Sequence, residues 1–348
     1  MRDTSREFLL GPLLKGVSRS FYLTLRVLPV RMRDPVGLAY LLARAADTIA
    51  DTALIAPERR LALLLSLREQ VNGVNAGAAS MPDFAAEVAS RQEQSDERIL
   101  LESLEHALAA LAHLEPADRT AVRQIVSTLT EGMEFDLRTF PDERAGHIVS
   151  LRKVEELDRY TYLVAGCVGE FWTRMAATHM QGAIGDTETM LRHGIRFGKA
   201  LQMTNVLRDC GKDLRIGRCY LPQAMLERHG LREQDLLRPD ASTFARPLMF
   251  ELVHHTLEHF DQALAYTLAI PARFVRLRLA CLWPVLIGME TLKRLVRNED
   301  WLDPARASRL PRSGVYRILA GSLPAVLSNR LLRFWFARLK RDIAAITG

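Results

Sequence analysis

The apolar positions of this chain recur at steps of three and four and do not alternate. Leu41, Leu42, Ala45, Ala46 and Ile49 follow that rhythm in one segment, and Leu201, Met203, Val206 and Leu207 in another. Steps of three and four are the period of a buried helix face. Valine and isoleucine are scattered, and proline is sparse inside the periodic segments, so the pattern predicts an all-α protein. A first helical segment carries Gly16 to Phe21 and runs towards Pro29; Pro35 lies near the start of a second, ending near Thr52. Further helices are expected over 58–71, 98–113, 117–139, 154–179, 187–214, 246–269 and 273–297. Two more follow the break made by Pro304, Pro311 and Gly314. Residues 72–97, rich in Gly, Ala, Ser and charge, read as loops or a short helix in a mobile insertion. Residues 215–245, entered through Gly217 and Pro222, read as irregular with one short helix. Nothing resembles a linker, which predicts a single helical domain over 1–348.

Two polar stripes interrupt the apolar rhythm. Tyr40, Arg44, Asp47 and Asp51 are spaced four, three and four; Gln202, Asn205, Asp209 and Asp213 are spaced three, four and four. At about 100° per residue, each set lies on one helix face. The residues between are mostly apolar, so each stripe faces a polar cavity and not open water. Two aspartates four residues apart repel, and burying them is costly without a cation. Mg²⁺ takes hard oxygen ligands and is held by one or two carboxylates while phosphate oxygens and water complete its shell. Asp47, Asp51, Asn205, Asp209 and Asp213 supply such oxygens; Arg44 and Arg208 supply donors suited to a diphosphate. The two pairs together predict a site for Mg²⁺ and diphosphate.

Composition narrows the class. With 348 residues, 48% hydrophobic and 25% charged, the chain has the make-up of a globular protein with a large core. The net charge of +6 fits an anionic substrate or membrane surface. Zinc-finger spacing, an RNA-binding aromatic signature and long Lys/Arg blocks are all missing, which argues against nucleic acid. Cys167, Cys210, Cys219 and Cys281 form no CxxC pair, and no leader is recognisable; a reduced, cytoplasmic protein is expected. Apolar runs fall short of the roughly 18 residues that span a bilayer. The stretch Asn329 to Arg341 mixes Leu331, Leu332, Phe334, Trp335, Phe336 and Leu339 with five cations. It fits either a helix lying in a membrane interface, from about residue 325 on, or a last helix packed on the domain.

Four blocks resemble the signature blocks of the squalene/phytoene synthase family, in the family's order: Ser18-Arg-Ser-Phe21, Tyr40 to Asp51, Tyr160 to Gly169 and Leu201 to Asp213. They cover most of residues 15–225; beyond, the likeness is loose. The resemblance implies an isoprenoid-synthase fold, a single domain of helices around a cavity lined by the two Asp motifs. It also implies head-to-head condensation of two isoprenyl diphosphates through a cyclopropylcarbinyl diphosphate. Carried over by position, Asp47, Asp51, Asn205, Asp209 and Asp213 would bind Mg²⁺–diphosphate. Ser18, Arg19, Ser20, Arg44, Gln202 and Arg208 would hold diphosphate or orient those ligands, and Phe21, Tyr40 and Tyr160 would line the reacting centre. An aromatic face stabilises an allylic carbocation, and Tyr160 could help accept the proton lost on ring closure, with the departed diphosphate as the ultimate base.

Arg19 between Ser18 and Ser20 looks like the squalene-synthase version of the first block. The implied substrate is therefore farnesyl diphosphate, the implied product squalene, and the implied reductant NADPH. Basic residues from Arg306 to Arg312 lie roughly where that branch has its nicotinamide site. A phytoene, dehydrosqualene or presqualene-diphosphate synthase is the enzymatic alternative; a helical protein that binds prenyl diphosphates or membranes without turnover is the other. Among secondary signals, Asp136 faces either the cavity or solvent, and His255 with His259 lacks a third metal ligand. Lys212 is expected to point aside, and Arg215 to Arg218 form either a diphosphate-closing flap or an ordinary charged loop.

Overall fold

The computed structural model describes residues 5–18, 21–74, 88–89, 94–140, 143 and 146–348. Its elements are helices apart from two strands of two residues each, so the chain is all-α as its apolar rhythm requires. Contacts gather into two compact units, residues 1–138 and 139–348, where the sequence suggests one domain.

In the first unit a helical stretch from Arg6 to Ser18 contains a π-helical turn, Leu9–Leu13, around Pro12. A short helix, Phe21–Val27, follows. The main helices are α1 (Val30–Asp51), α2 (Pro57–Asn72), α3 (Ser95–Glu102), α4 (Leu104–Ala112) and α5 (Pro116–Thr139), whose last residue falls at the boundary. α1 is the centre: Leu38, Leu41, Leu42, Ala45, Ala46 and Ile49 are buried, and it packs on α2, α3 and α4.

α1 starts at Val30, five residues before the Pro35 that the sequence puts near its start. The Pro29 carbonyl accepts from the N–H of Met32 and Arg33, at 3.0 and 3.1 Å, and opens the helix there. Pro35 forfeits one N–H bond near this end. Arg33 Nη2 meanwhile donates to the carbonyls of Arg26 and Leu28, at 3.2 and 3.0 Å, and ties down the preceding turn. The helix expected over 98–113 breaks at Ser103, whose hydroxyl donates to the Ile99 carbonyl at 2.7 Å. Such a local bond competes with the helical ladder. Glu97, placed by its composition in the loop-like insertion, belongs to α3 and is buried.

The second unit opens with β1 (Val149–Ser150) and α6 (Val154–Thr161). A π-helical turn, Tyr162–Gly166, runs on into α7 (Cys167–His179). Then come α8 (Thr187–Arg215), β2 (Arg218–Cys219) and three short helical pieces, Gln223–Arg228, Glu233–Leu237 and Ala241–Phe244. The unit ends with α9 (Arg246–Ala269), α10 (Val275–Arg297), α11 (Arg312–Ala325) and α12 (Asn329–Thr347). α8 is central, packed on α7, α9 and α10. Asp186 caps its N-terminus, accepting from the N–H of Glu188 and Thr189. Glycines set its distance from α7: a Cβ at Gly198 would lie 2.0 Å from the Ala165 carbonyl oxygen, and one at Gly169 would lie 1.8 Å from that of Gly194.

Two open alternatives meet the structure here. Residues 215–219, read as either a closing flap or a charged loop, are tied to a strand: β2 pairs in parallel with β1, through Val149 N–H to Gly217 O at 3.0 Å and Leu151 N–H to Cys219 O at 3.1 Å. Arg215 Nη1 adds bonds to the carbonyls of Gly211 and Leu302, at 2.6 and 3.0 Å. The last helix turns Leu332, Phe336, Leu339 and Ile343 into the core while Leu331 and Phe334 stand in solvent. Among the described residues no helix is long and apolar enough to cross a membrane. All four cysteines are buried.

Candidate functional site

Each unit carries one stripe at the C-terminal end of its central helix. On α1, Asp47 and Asp51 fall in the last five residues; on α8, Asp209 and Asp213 fall in the last seven. The carbonyl end of a helix already carries negative partial charge, so carboxylates there are doubly unfavourable without a cation. α1 has no basic residue in its last turn. Arg60, buried on α2, donates Nη1 to the Ala50 carbonyl at 3.0 Å and satisfies one terminal acceptor.

On α1 the Arg44 guanidinium bridges two acids. One nitrogen contacts the Asp47 carboxylate and the other donates to Glu97 Oε1 at 2.5 Å. Arg44 thus holds Asp47 in place and is itself held from α3. Tyr40 donates its hydroxyl to the Val17 carbonyl at 3.4 Å. Asp51, the last residue of α1, is exposed. Desolvation, with Asp51 one turn on, pushes the Asp47 carboxyl up to about 6 against the pull of Arg44. Its side chain is 41% accessible, so the group is reachable by a cation from solution.

On α8 the stripe is half-buried and its flanks, Met203, Thr204, Val206, Leu207 and Cys210, are buried. Arg208 grips the neighbouring Asp209 with two bonds, Nε to Oδ1 at 3.0 Å and Nη2 to Oδ2. A relay runs up the stripe: Asn205 Nδ2 donates to Gln202 Oε1 at 3.3 Å, and Gln202 Nε2 donates to the Tyr160 hydroxyl at 3.4 Å. The Tyr160 ring stacks on Tyr220, with centroids 4.7 Å apart, and Tyr220 meets Phe140 edge-on at 4.9 Å. Asp213 is half-buried in the last turn, and Lys212 points into solvent, as expected.

The structure thus groups Tyr40, Arg44, Asp47 and Asp51 in one unit, and Tyr160, Gln202, Asn205, Arg208, Asp209 and Asp213 in the other. Ser18 lies apart from the α1 stripe in its bonding: it is buried and its hydroxyl donates to the Leu14 carbonyl. Arg19, Ser20 and the side chain of Phe21 lie outside the described residues. Asp136 is half-buried. His255 and His259 stack edge to face at 5.0 Å, and Arg196 Nε donates to His259 Nδ1 at 3.2 Å. Sequence reasoning missed Glu97 and Tyr220. Glu97 is hidden in a stretch of loop-like composition, and Tyr220 follows a glycine-broken segment with no local mark of its role.

Among the described residues no three His, Cys, Asp or Glu side chains converge on one point. Two carboxylates per stripe fit Mg²⁺, whose remaining positions go to water and phosphate oxygen; the all-oxygen donor set fits the same ion.

Solved relatives share the architecture: a ligand complex of TcSQS superposes with a TM-score of 0.77 at 22% identity, covering 99% of either chain, which defines an all-α isoprenoid-synthase fold. The squalene/phytoene synthase family model matches residues 14–313, and the chain belongs to that family. Presqualene diphosphate synthase of Zymomonas mobilis is 31% identical over 245 residues, 68% of this chain and 69% of that one. Squalene synthase of Saccharomyces cerevisiae is 26% identical over 293 residues, 83% of this chain and 62% of its own length. The chain spans 35% to 62% of the length of the fungal relatives it matches. Members of the family are transferases of the head-to-head isoprenoid type.

Proposed function

We propose that the chain condenses two farnesyl diphosphates head to head to presqualene diphosphate, and then reduces that intermediate to squalene with hydride from NADPH. The matched pair of polar stripes, each ending a central helix in two aspartates with an arginine alongside, carries this reading. Asp47, Asp51, Asn205, Asp209 and Asp213 are the oxygen donors that would hold Mg²⁺, which when bound neutralises the charge developing on a departing diphosphate. Arg44 and Arg208 fix Asp47 and Asp209, and their remaining N–H groups face phosphate oxygens in the same reading. Ser18, Arg19 and Ser20 serve the diphosphate, with Phe21 and Tyr40 beside the isoprenyl chain. The Tyr160 ring stabilises the allylic cation through its quadrupole. Its hydroxyl, held by Gln202, helps pass the proton lost on cyclopropane closure to the departed diphosphate, which is the base. NADPH enters as a co-substrate; no residue is assigned to it.

A second reading stops at presqualene diphosphate, and it is favoured by the Zymomonas relative, which matches two thirds of both chains. Incubation with farnesyl diphosphate and Mg²⁺, with and without NADPH, followed by mass spectrometry, separates the two. Squalene formed only with NADPH is the expected result. Presqualene diphosphate under both conditions supports the second reading, and a hydrocarbon other than squalene under both conditions refutes each.

A further inference from the structure

The basic balance of the chain is local. Residues 304–348 carry nine Lys or Arg and one acid, Asp342, a net +8 against +6 for the whole chain. The rest of the protein is therefore slightly acidic. The same segment holds the exposed apolar side chains. Of eleven large hydrophobic residues standing in solvent among those described, five fall within residues 316–334: Tyr316, Leu323, Leu327, Leu331 and Phe334. Tyr316, Leu323 and Leu327 are spaced seven and four, one face of α11 and its C-terminal turn; Leu331 and Phe334 continue from the first turns of α12.

This corner is rigid. Arg278, buried on α10, donates to Asn329 Oδ1 at 2.6 Å and to the Ile270 carbonyl at 2.8 Å. Trp283 Nε1 donates to Ser322 Oγ at 2.9 Å, and Ser328 Oγ caps α12 by accepting from the Leu331 N–H at 3.3 Å. With Leu332, Phe336, Leu339 and Ile343 locked inside, the outward set has no route into the core. Beside it lies a cleft of about 680 Å³ between α10, α11 and α12, lined by Arg294, Arg297, Arg309 and Arg317 with Trp335 on its α12 side. Those four arginines are exposed; the lining includes one carboxylate, Glu290. The other cations there are engaged, Lys293 with Asp342 at 2.5 Å and Arg306 with Asp300.

We infer that the outer face of α11 and α12, with the arginine cleft beside it, docks the protein on the anionic surface of a phospholipid bilayer. Apolar side chains on a fixed corner, rimmed by cations that outnumber the neighbouring acids Glu290 and Asp342, match the boundary between acyl chains and phosphate headgroups. The charge selects this occupant over a second copy of the chain, whose equivalent face would bring the same excess of arginine against it. The helices lie on the bilayer and do not cross it.

Vesicle co-sedimentation tests this with phosphatidylcholine alone and with phosphatidylglycerol added. Wild-type protein binds the anionic vesicles, binds neutral ones weakly, and is released by salt. Leu327→Ser with Phe334→Ser, and separately Arg294→Glu with Arg317→Glu, each lower the binding constant by roughly tenfold or more, since one cation near such a surface is worth about 1 kcal/mol. Turnover of farnesyl diphosphate and the far-UV circular dichroism stay as in wild type. Equal binding to both vesicle types, variants that bind like wild type, or a concentration-dependent dimer abolished by the Leu327 and Phe334 changes would each overturn the inference.

Discussion

Asp47 sits where function and stability pull apart. Its carboxyl titrates near 6, above the ordinary carboxylate range, because desolvation and Asp51 outweigh Arg44. The folded protein therefore holds a proton there that the unfolded chain has released. Stability of the metal-free protein falls as pH rises from the ordinary carboxylate range through about 6, and this loss is complete above it. At 41% accessibility the effect is softened by solvent. Asp47→Asn should leave the metal-free protein at least as stable at pH 7.5 as wild type, yet remove activity; thermal melts and product assays check both halves. Mg²⁺ with diphosphate should raise the wild-type melting temperature more at pH 7.5 than at pH 5.5, and raise that of the variant far less. Tyr160→Phe keeps the ring stacked on Tyr220 but loses the hydroxyl that Gln202 addresses. Its kcat should drop by about 10² or more with KM nearly unchanged, in line with loss of a positioned relay to the departed diphosphate.

At the scale of elements, α8 carries the most weight, and its fit against α7 is set by backbone. Gly198→Ala would place a Cβ 2.0 Å from the Ala165 oxygen, and neither helix can yield by rotating a side chain. The variant should lose about 1–3 kcal/mol or more in urea unfolding. Between α8 and α9, Arg196 donates to a His259 ring whose pKa burial and Arg196 lower to about 3. The unfolded chain takes up this proton near 6.5 and the folded one does not, so stability falls as pH drops from about 6.5 towards 3. His259→Gln should flatten that slope in melts between pH 4 and 7. These helices were legible because periodicity and breakers act locally: α9, from Arg246 to Ala269, and the start of α8 at Thr187 coincide with the expectation. The stripes were legible for the same reason, being four-residue patterns on single helices. Glu97 and Tyr220 were not, because a partner 53 residues from Arg44 and one 60 residues from Tyr160 are brought in by tertiary packing. The pairing at Arg218 and Cys219 was not legible either, since glycine and charge suggest freedom but β1 supplies hydrogen bonds from a distant segment.

At the scale of the whole molecule, the C-terminal helix is two things at once, and that decides how it should be probed. Its inner face buries Leu332, Phe336, Leu339 and Ile343. At about 1.5–3 kcal/mol per fully buried side chain, that face contributes about 6–12 kcal/mol before entropy is charged against it. A domain's net stability is about 5–15 kcal/mol. Removing residues 326–348 would also strip Arg278 of Asn329, leaving a buried guanidinium short of one acceptor, and Lys293 of Asp342. The truncated chain should therefore lose cooperative unfolding or melt far below the full-length protein, and lose activity through unfolding, although no candidate site residue is deleted. Calorimetry of the two forms checks this. A truncated protein that melts with wild-type cooperativity and still turns over substrate would mean that α12 is an appendage to the domain and not part of its core.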